Sequence, residues 1–579
     1  MLLRLQKKLF ILALSAGIRK FDNVHNSVKI RVFHPKLVSA LRILLTGLLP
    51  TFTALFYLQL PAYAIDLPTS NQKNNPVIIE NIKPGTTDWQ LTRPAINHEI
   101  EGYASLTSVN RGKEIKLFVK TKDPAYTIEI YRMGWYNGKG GRQVAPAVFR
   151  KSTKQPAPII DEVRGLIECD WRDPYVLKIP ENIDDPSQWA SGFYLAKLTG
   201  SRSGKQSYII FVVRDDSRPS DILFQSSVTT HQAYNNWGGM SLYRWNSKSK
   251  QAAKVSFNRP YAPSPNKAAA YGVGAGEFLT NVQPKRRTSS AGWEYNMVRW
   301  LEKNGYDVSY GTDVDTHENH FDELSGKQML LLHKAFLSVG HDEYWSWQMR
   351  RNVEAARDAG VSLGFFSANT CYWQIRFEPS RISGDINRTI VSYKEAEALD
   401  PFARDNIPDN DYLVTTLWRK PPINRPEDAM IGVMYVTFQV NADIVVNRTA
   451  PDWLLAETQL SSTATQASTG LFGNKPAVEE MRLVGLLGYE VDRMFKNAPA
   501  NTIRIAHSPY RNQGRIKYSD MTVYQAKSGA TVFATGTMQW SWGLDNFNAP
   551  QLRPSLLNKD AQAITRNVLA KMLKKGSRE

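Results

Sequence analysis

Apolar and polar residues alternate along the segment from about residue 99 to residue 216. Ile115, Leu117 and Val119 are separated by single residues, and similar short runs lie between clusters of glycine, proline and aspartate. A period of two places successive side chains on opposite faces of a strand. The pattern predicts an antiparallel β-sandwich domain over residues 99–216, preceded by a polar linker over residues 65–98.

The pattern changes after residue 216. A continuous apolar run at Val361–Phe366 predicts a buried strand, and a helix is predicted just before it, from about Ser346 to Ala359. Strand, helix and strand with short connections predict a parallel sheet flanked by helices. We therefore expect an α/β domain, amidotransferase-like, over residues 217–579. Apolar residues at helical spacing predict a further helix in it, with Trp293, Met297, Trp300 and Leu301 on its apolar face.

The first 64 residues have the features of an export signal. Residues 1–42 carry nine basic side chains and one acidic side chain, residues 43–60 carry no charge, and Ala62-Tyr63-Ala64 follows. Signal peptidase recognises such a small-x-small sequence after an apolar segment. We predict a signal peptide over residues 1–64, or a signal anchor, because the apolar run approaches the length of a membrane span. The expected location is periplasmic or secreted, with membrane attachment only through an uncleaved segment.

Charge and cysteine content narrow the range of functions. The formal net charge is +18, and outside residues 1–42 the basic residues are spread along the chain without aromatic interleaving. This distribution argues against a nucleic-acid partner. The two cysteines, Cys169 and Cys371, exclude a disulfide-rich scaffold and a CxxC metal site. Two separate buried thiols are favoured over a disulfide between them.

Three polar segments follow predicted strands of the second domain, at residues 231–243, 340–345 and 367–374. Because the carboxyl ends of parallel strands lie along one edge of a sheet, we expect these segments to converge. Histidine, acidic, asparagine and tyrosine side chains gathered there could bind a metal or transfer protons.

Structural roles are the alternative for each of these residues. Asp342 and Glu343 would favour the positive end of the helix that follows them, and His341 could cap it. Glu490 could be a surface charge. Cys371 could be a nucleophile on a strand-to-helix turn, but its bulky neighbours do not suit such a turn, so a buried thiol is the favoured interpretation.

These residues resemble the large (beta) subunit of N,N-dimethylformamidase, specifically its C-terminal catalytic domain and the wider family that shares it. The resemblance extends from about Tyr131 to the C-terminus. It is densest in short motifs: Ala233-Tyr234-Asn235, Ser241-Leu242-Tyr243, Asn258-Arg259-Pro260, His341–Ser346, Asn369 with Cys371-Tyr372-Trp373, and Gly488-Tyr489-Glu490.

The resemblance implies a mononuclear Fe(III) site that hydrolyses a small amide. The metal ligands it implies are Tyr234, Tyr243 and Glu343. It also implies catalytic roles nearby for His341, Glu490 and Asn369. Tyrosinate ligands are consistent with ferric iron, because a phenol ionises near pH ~10 unless a strongly Lewis-acidic cation binds it. The family enzymes work with a small partner subunit, which this chain does not contain.

Two hypotheses follow for the function. The leading one is an exported iron-dependent hydrolase of amide C–N bonds with a small amide substrate, together with a small partner subunit or a homo-oligomeric assembly. The alternative is a non-catalytic envelope protein that binds a glycan or a protein through its β-sandwich. Two tyrosines, a glutamate and an asparagine retained together favour the enzyme.

Overall fold

The structure is a computed structural model that describes residues 75–574, except for residues 182–184, 186–187, 263–271, 280–291, 324, 462–479, 550 and 552. The predicted signal segment, residues 1–64, lies outside the described residues. None of the helices in the described ranges is long and apolar enough to cross a lipid bilayer.

The N-terminal part of the described chain consists mainly of strands. It begins with a short helix, α1 (Pro76–Asn81). The strands that follow are β1 (Ile100–Ala104), β2 (Ser108–Asn110), β3 (Glu114–Thr121), β4 (Ala125–Met133), β5 (Gly141–Gln143), β6 (Val148–Lys151), β7 (Ile159–Asp161), β8 (Leu166–Glu168), β9 (Tyr175–Lys178), β10 (Gly192–Gly200) and β11 (Gln206–Arg214).

Two sheets of this part share one apolar core. Strands β1, β3 and β9 form the smaller sheet, and strands β2, β11, β10, β4 and β5 form the larger, with β6 also paired to β4. Ile115 and Leu117 from the smaller sheet pack with Ile128 and Phe211 from the larger. The larger sheet is not purely antiparallel as predicted, because β2 pairs parallel with β11. Strands β7 and β8 form a separate pair.

The second part contains the remaining helices and strands. Its helices are α2 (Val228–Tyr234), α3 (Glu294–Lys303), α4 (Asp313–Glu318), α5 (Trp347–Asp358), α6 (Asp428–Ile431), α7 (Asp452–Leu455) and α8 (Lys559–Leu573). Its strands are β12 (Ile222–Ser226), β13 (Lys254–Ser256), β14 (Val308–Thr312), β15 (Phe321–Asp322), β16 (Lys327–Gln328), β17 (Ala335–His341), β18 (Tyr344–Ser346), β19 (Ser362–Ala368), β20 (Trp373–Glu378), β21 (Thr389–Val391), β22 (Met434–Asn447), β23 (Glu480–Arg493), β24 (Ile503–Asn512), β25 (Arg515–Gln525) and β26 (Thr531–Ala534).

The prediction of a parallel α/β domain flanked by helices is wrong. The main sheet has the order β14-β12-β17-β19-β26-β25-β24-β22-β23. Its first five strands pair in parallel, but β26, β25, β24, β22 and β23 pair antiparallel. Between β19 and β26 the chain builds the long antiparallel strands β22, β23, β24 and β25. The described fold is thus mixed and rich in strands.

Individual elements in the parallel half form where the sequence predicts them. Every residue of β17 and of β19 is buried, as expected for strands covered on both faces. Helix α5 begins after Ser346, whose hydroxyl accepts a hydrogen bond from the Met349 amide at 3.1 Å. The helix is closed by Gly360, whose φ of 106° is left-handed. The connection between β17 and α5 carries the polar residues that follow β17.

The largest core spans both predicted domains. Tyr131 and Phe193 of the N-terminal sheets belong to the same buried cluster as Phe224 and Trp300 of the second part. Phe193 stacks on Phe278 with ring centroids 4.2 Å apart. This core packs the two parts of the chain together. The predicted domain boundary near residue 216 stays a prediction.

Candidate functional site

Four elements of the main sheet deliver the predicted site residues to one place. Tyr234 is the last residue of α2, and that helix follows β12. His341 ends β17, and Asn369 directly follows β19, the parallel neighbour of β17. Glu490 comes from β23 in the antiparallel half of the sheet. The parallel edge predicted from the sequence is therefore real at this position, and Glu490 reaches it from the opposite half.

The two predicted tyrosine ligands meet the predicted glutamate ligand. The Tyr234 hydroxyl donates to Glu343 Oε2 at 2.9 Å. The Tyr243 hydroxyl lies 2.8 Å from Glu343 Oε1 and 2.7 Å from Oε2. The two phenol rings have centroids 4.3 Å apart. The hydroxyls of Tyr234 and Tyr243 thus both lie within hydrogen-bond distance of the Glu343 carboxylate.

His341 lies among three carboxylates. Its Nε2 atom is 3.3 Å from Glu343 and 3.6 Å from Glu490, and its Nδ1 atom is 3.5 Å from Glu277. Neither ring nitrogen has hydrogen-bond geometry with a partner. Burial lowers the pKa of His341, but the surrounding carboxylates outweigh burial and raise it well above its ordinary value. The three carboxylates therefore favour the imidazolium form of His341.

The same histidine keeps Glu343 ionised. Burial alone would raise the pKa of the Glu343 carboxyl, yet the close contact with His341 and the positive charge of that ring lower it below its ordinary value. Burial and the charge on Glu343 together raise the pKa of both tyrosines well above 10. In this arrangement Tyr234 and Tyr243 are neutral phenols that donate to a carboxylate.

Glu490 and Asn369 form the other wall of the site. The side-chain Nδ2 of Asn369 donates to Glu490 Oε2 at 2.7 Å, and the backbone N–H of Asn369 donates to Asp492 Oδ1 at 2.8 Å. Burial, assisted by Glu343, raises the pKa of Glu490 to about 7. A carboxyl group that titrates near neutrality can exchange a proton at physiological pH. Asn369 itself has a left-handed φ of 56°, a conformation that asparagine tolerates.

Several residues of the site were missed by sequence reasoning. Lys394 Nζ lies 3.4 Å from the centroid of the Tyr243 ring and donates to the Leu242 carbonyl at 3.2 Å. Burial lowers the pKa of Lys394 to about 8. Glu277 follows a glycine-rich segment, Gly-Val-Gly-Ala-Gly at residues 272–276, which was the one available signal, whereas Lys394 stands in no recognisable motif. Tyr344 is buried beside Glu343, and its hydroxyl has no hydrogen-bond partner among the residues that the structure describes.

Two neighbouring residues have structural roles. Asp342 accepts hydrogen bonds from Gln225, Ser338 and Trp345 at 2.7–2.8 Å, so it anchors the loop that carries Glu343. Cys371 is fully buried, and burial strongly raises the pKa of its thiol. Both cysteines are free, as predicted. The nucleophile interpretation of Cys371 has no support, because a reactive cysteine needs an accessible thiolate.

The donor atoms suit a hard, strongly Lewis-acidic cation. Two phenols and a carboxylate supply only oxygen, which hard cations prefer. Buried polar atoms without partners cluster around them: both nitrogens of His341, both carboxylate oxygens of Glu277, the Tyr344 hydroxyl and Asn369 Oδ1. Across the described ranges no group of three or more histidine, cysteine, aspartate and glutamate side chains could hold a metal ion. Any metal at this site would therefore depend on the two tyrosines.

Comparison with known proteins bears on the same residues. A family model described as N,N-dimethylformamidase beta subunit-like, C-terminal, matches residues 127–552. The chain belongs to this family. All six predicted site residues lie within the matched range, as do Glu277 and Lys394.

Two relatives are the N,N-dimethylformamidase beta subunits of Alcaligenes sp and Paracoccus aminophilus. The first is 21% identical over 335 residues, which is 48% of this chain and 39% of the relative. The second is 21% identical over 346 residues, which is 51% of this chain and 39% of the relative. The aligned part of the chain thus spans about two fifths of the length of these curated relatives.

Proposed function

We propose that this chain is an iron-dependent hydrolase that cleaves the C–N bond of a small amide. The observation that carries the proposal is the convergence of Tyr234 and Tyr243 on Glu343, inside a buried cluster that also contains His341 and Glu490. Membership of the family and the names of the two relatives support the reaction class.

Tyr234, Tyr243 and Glu343 would hold a single ferric ion. When bound, such an ion supplies Lewis acidity that polarises an amide carbonyl and lowers the pKa of water. Three anionic ligands would balance its charge. Lys394, over the face of Tyr243, would then stabilise the negative charge of the phenolate.

The surrounding side chains would handle protons and developing charge. Glu490, with its pKa near 7, would accept a proton from the attacking water. His341, held as an imidazolium by three carboxylates, would donate a proton to the leaving amine. Asn369 would turn its Nδ2 group from Glu490 to the developing oxyanion, and loss of such a donor costs about 2.7–4 kcal/mol in barrier height.

The substrate, the assembly and the location are parts of the same proposal. Both relatives are named beta subunits, so we propose that this chain works with a small partner subunit or as a homo-oligomer. Export by the segment at residues 1–64 would place the enzyme in the periplasm or outside the cell, where it would act on a small amide. Fractionation of cells that express the full chain tests the location, and recovery in the cytoplasm would contradict it.

Iron content, colour and amine release test the function together. We expect the iron-loaded chain to contain one iron per molecule, to show a visible tyrosinate-to-iron absorption band and to release amine from short-chain amides. Glu343→Gln should lose the band, the iron and the activity. Glu168→Gln is the matched control, because Glu168 is an equally buried glutamate outside the site.

A wild-type chain that is colourless and metal-free after iron loading would overturn the proposal. The same holds if Glu343→Gln retains full activity. Thermal melting of both variants separates a specific loss from misfolding, since both substitutions replace a buried glutamate with glutamine.

A further inference from the structure

The two predicted tyrosine ligands are joined by a tight turn. Tyr243 follows Tyr234 by nine residues, and the connection contains a 3₁₀ turn at Trp237–Gly239. Gly238 and Gly239 both have left-handed φ values, 79° and 104°. The Leu242 amide donates to the Ala233 carbonyl at 3.0 Å, which closes the turn at its base. The separation of the two phenols therefore depends on the shape of this connection.

One buried arginine binds the carbonyl groups of this turn. Arg259 Nη1 donates to the carbonyls of Trp237 and Met240 at 3.1 and 3.0 Å. Its Nη2 donates to the Asn235 carbonyl at 2.8 Å. Arg259 is 2% exposed, and no carboxylate within the described part of the chain forms an ion pair with it. Its guanidinium therefore binds backbone carbonyls that lie between the two tyrosines in the chain.

The neighbours of Arg259 hold it in place. The Asn235 side chain donates to the Pro260 carbonyl at 2.9 Å, which ties the turn to the arginine's own segment. Arg388 donates to the Asn258 side chain at 2.9 Å, and the Cys169 amide donates to the Asn258 carbonyl at 2.8 Å. The motif Asn258-Arg259-Pro260, which the sequence singled out without a role, is thus a rigid support.

We propose that Arg259 is a positioning residue that sets the geometry of the Tyr234 and Tyr243 pair through the carbonyls of residues 235–240. The inference rests on the proposed function, since it concerns how the ligands reach a metal. A planar guanidinium can bind three carbonyls at fixed angles, whereas a lysine ammonium is a point charge on a flexible stem. Arg259→Lys should therefore keep the charge and lose the geometry.

Iron binding tests this inference with a matched variant. Arg350 is also buried, at 1% exposure, and it also donates to two backbone carbonyls, those of Arg425 and Pro426. We expect Arg259→Lys to weaken iron binding by about 10- to 100-fold, the usual effect of removing an outer support of a ligand, and to shift the tyrosinate-to-iron absorption band. Arg350→Lys should leave both unchanged.

Hydrogen exchange of the metal-free protein gives a second readout. We expect the amides of residues 235–243 to exchange faster in Arg259→Lys than in the wild type or in Arg350→Lys. Wild-type iron binding with an unshifted band and unchanged exchange in Arg259→Lys would overturn the positioning role alone. A wild-type chain that takes up no iron would instead overturn the proposed function, whatever the exchange shows.

Discussion

Arg132 and Glu343 each lie at the centre of a buried cluster of charged and phenolic side chains, and the two clusters differ in how fully their polar atoms are paired. In the Arg132 cluster, Arg132 binds both oxygens of Glu302 at 2.8 and 3.1 Å. Tyr310 donates to one of these oxygens and Asn81 to the other. The remaining guanidinium N–H groups bind carbonyls and the Tyr136 hydroxyl. Each guanidinium nitrogen of Arg132 and each carboxylate oxygen of Glu302 therefore has at least one partner.

In the Glu343 cluster, several buried polar atoms have no hydrogen-bond partner among the described residues. This cluster surrounds the single imidazole of His341 with the carboxylates of Glu343, Glu490 and Glu277. Both nitrogens of His341 and both oxygens of Glu277 lack hydrogen-bond partners. Leaving buried polar atoms without partners costs stability.

The difference is the one expected between a structural cluster and a candidate functional site. Complete pairing offsets the cost of burying Arg132 and Glu302, which join β4 of the N-terminal sheets to α3 of the second part. Incomplete pairing is kept where selection acts on a reaction and not on stability, so unsatisfied polar atoms and shifted pKa values mark candidate sites. This contrast leads to four predictions, from the largest expected effect to the smallest.

Breaking the Arg132 cluster should have the largest effect on stability. Arg132→Met leaves Glu302 buried and uncompensated, so we expect the free energy of unfolding to fall by about 3–5 kcal/mol. Urea unfolding followed by circular dichroism measures this change. The double variant Arg132→Met with Glu302→Leu should recover most of the loss, and a double variant as unstable as the single one would show that the pairing does not matter.

Removing the Asn369 side chain should act on catalysis and spare stability. We use Asn369→Gly because glycine accepts the left-handed φ at this position. We expect kcat to fall by about 10²–10³, which corresponds to about 2.7–4 kcal/mol. Asn387→Gly is the control, since Asn387 has a φ of 57° outside the site. A kcat equal to that of the control would remove Asn369 from the reaction.

Acidity should change the stability that Asp492, the partner of the Asn369 backbone amide, contributes to the protein. Burial raises the pKa of Asp492 to about 7, so the folded protein holds a proton there that the unfolded chain releases near pH ~4. The stability that this group contributes is present below pH ~4 and is lost as the pH rises through about 7. From pH 5 to pH 7 we expect a loss of about 2 kcal/mol.

Asp492→Asn should remove that pH dependence, because asparagine does not titrate. Urea unfolding of the metal-free wild type and variant at pH 5 and pH 7 gives the comparison. If both proteins lose the same free energy between these values, Asp492 is not protonated in the folded state.

Lys394 should give the smallest effect of the four. Lys394→Met removes the ammonium over the Tyr243 ring, an interaction of about 1 kcal/mol, so we expect kcat/KM to fall about fivefold. The absorption band of the iron-loaded protein should also shift. Lys120→Met is the control, because Lys120 lies over the Trp171 ring outside the site. A band equal to that of the wild type would show that Lys394 does not influence Tyr243.

The sequence predicted the convergence of the polar loops better than the topology of the sheet. His341 and Asn369 each come at the end of a continuous apolar run, and β17 and β19 pair in parallel, so their meeting could be deduced. The antiparallel half of the sheet was missed because β22 shows no clean alternation of buried and exposed residues. Its pairing with β23 is also interrupted by three register shifts.

The sequence by itself determined the parallel strands, the helices beside them and the loops that carry Glu343 and Asn369, because apolar period and capping residues act over a few neighbouring positions. Only the tertiary structure decided the mixed sheet, and with it the arrival of Glu490, Glu277 and Lys394 around His341. These residues lie far apart in the chain, and no local pattern encodes a contact that forms only when distant segments pack together. The unpaired polar atoms near Glu343, such as those of His341 and Glu277, can likewise be recognised only from the positions of all neighbouring polar atoms.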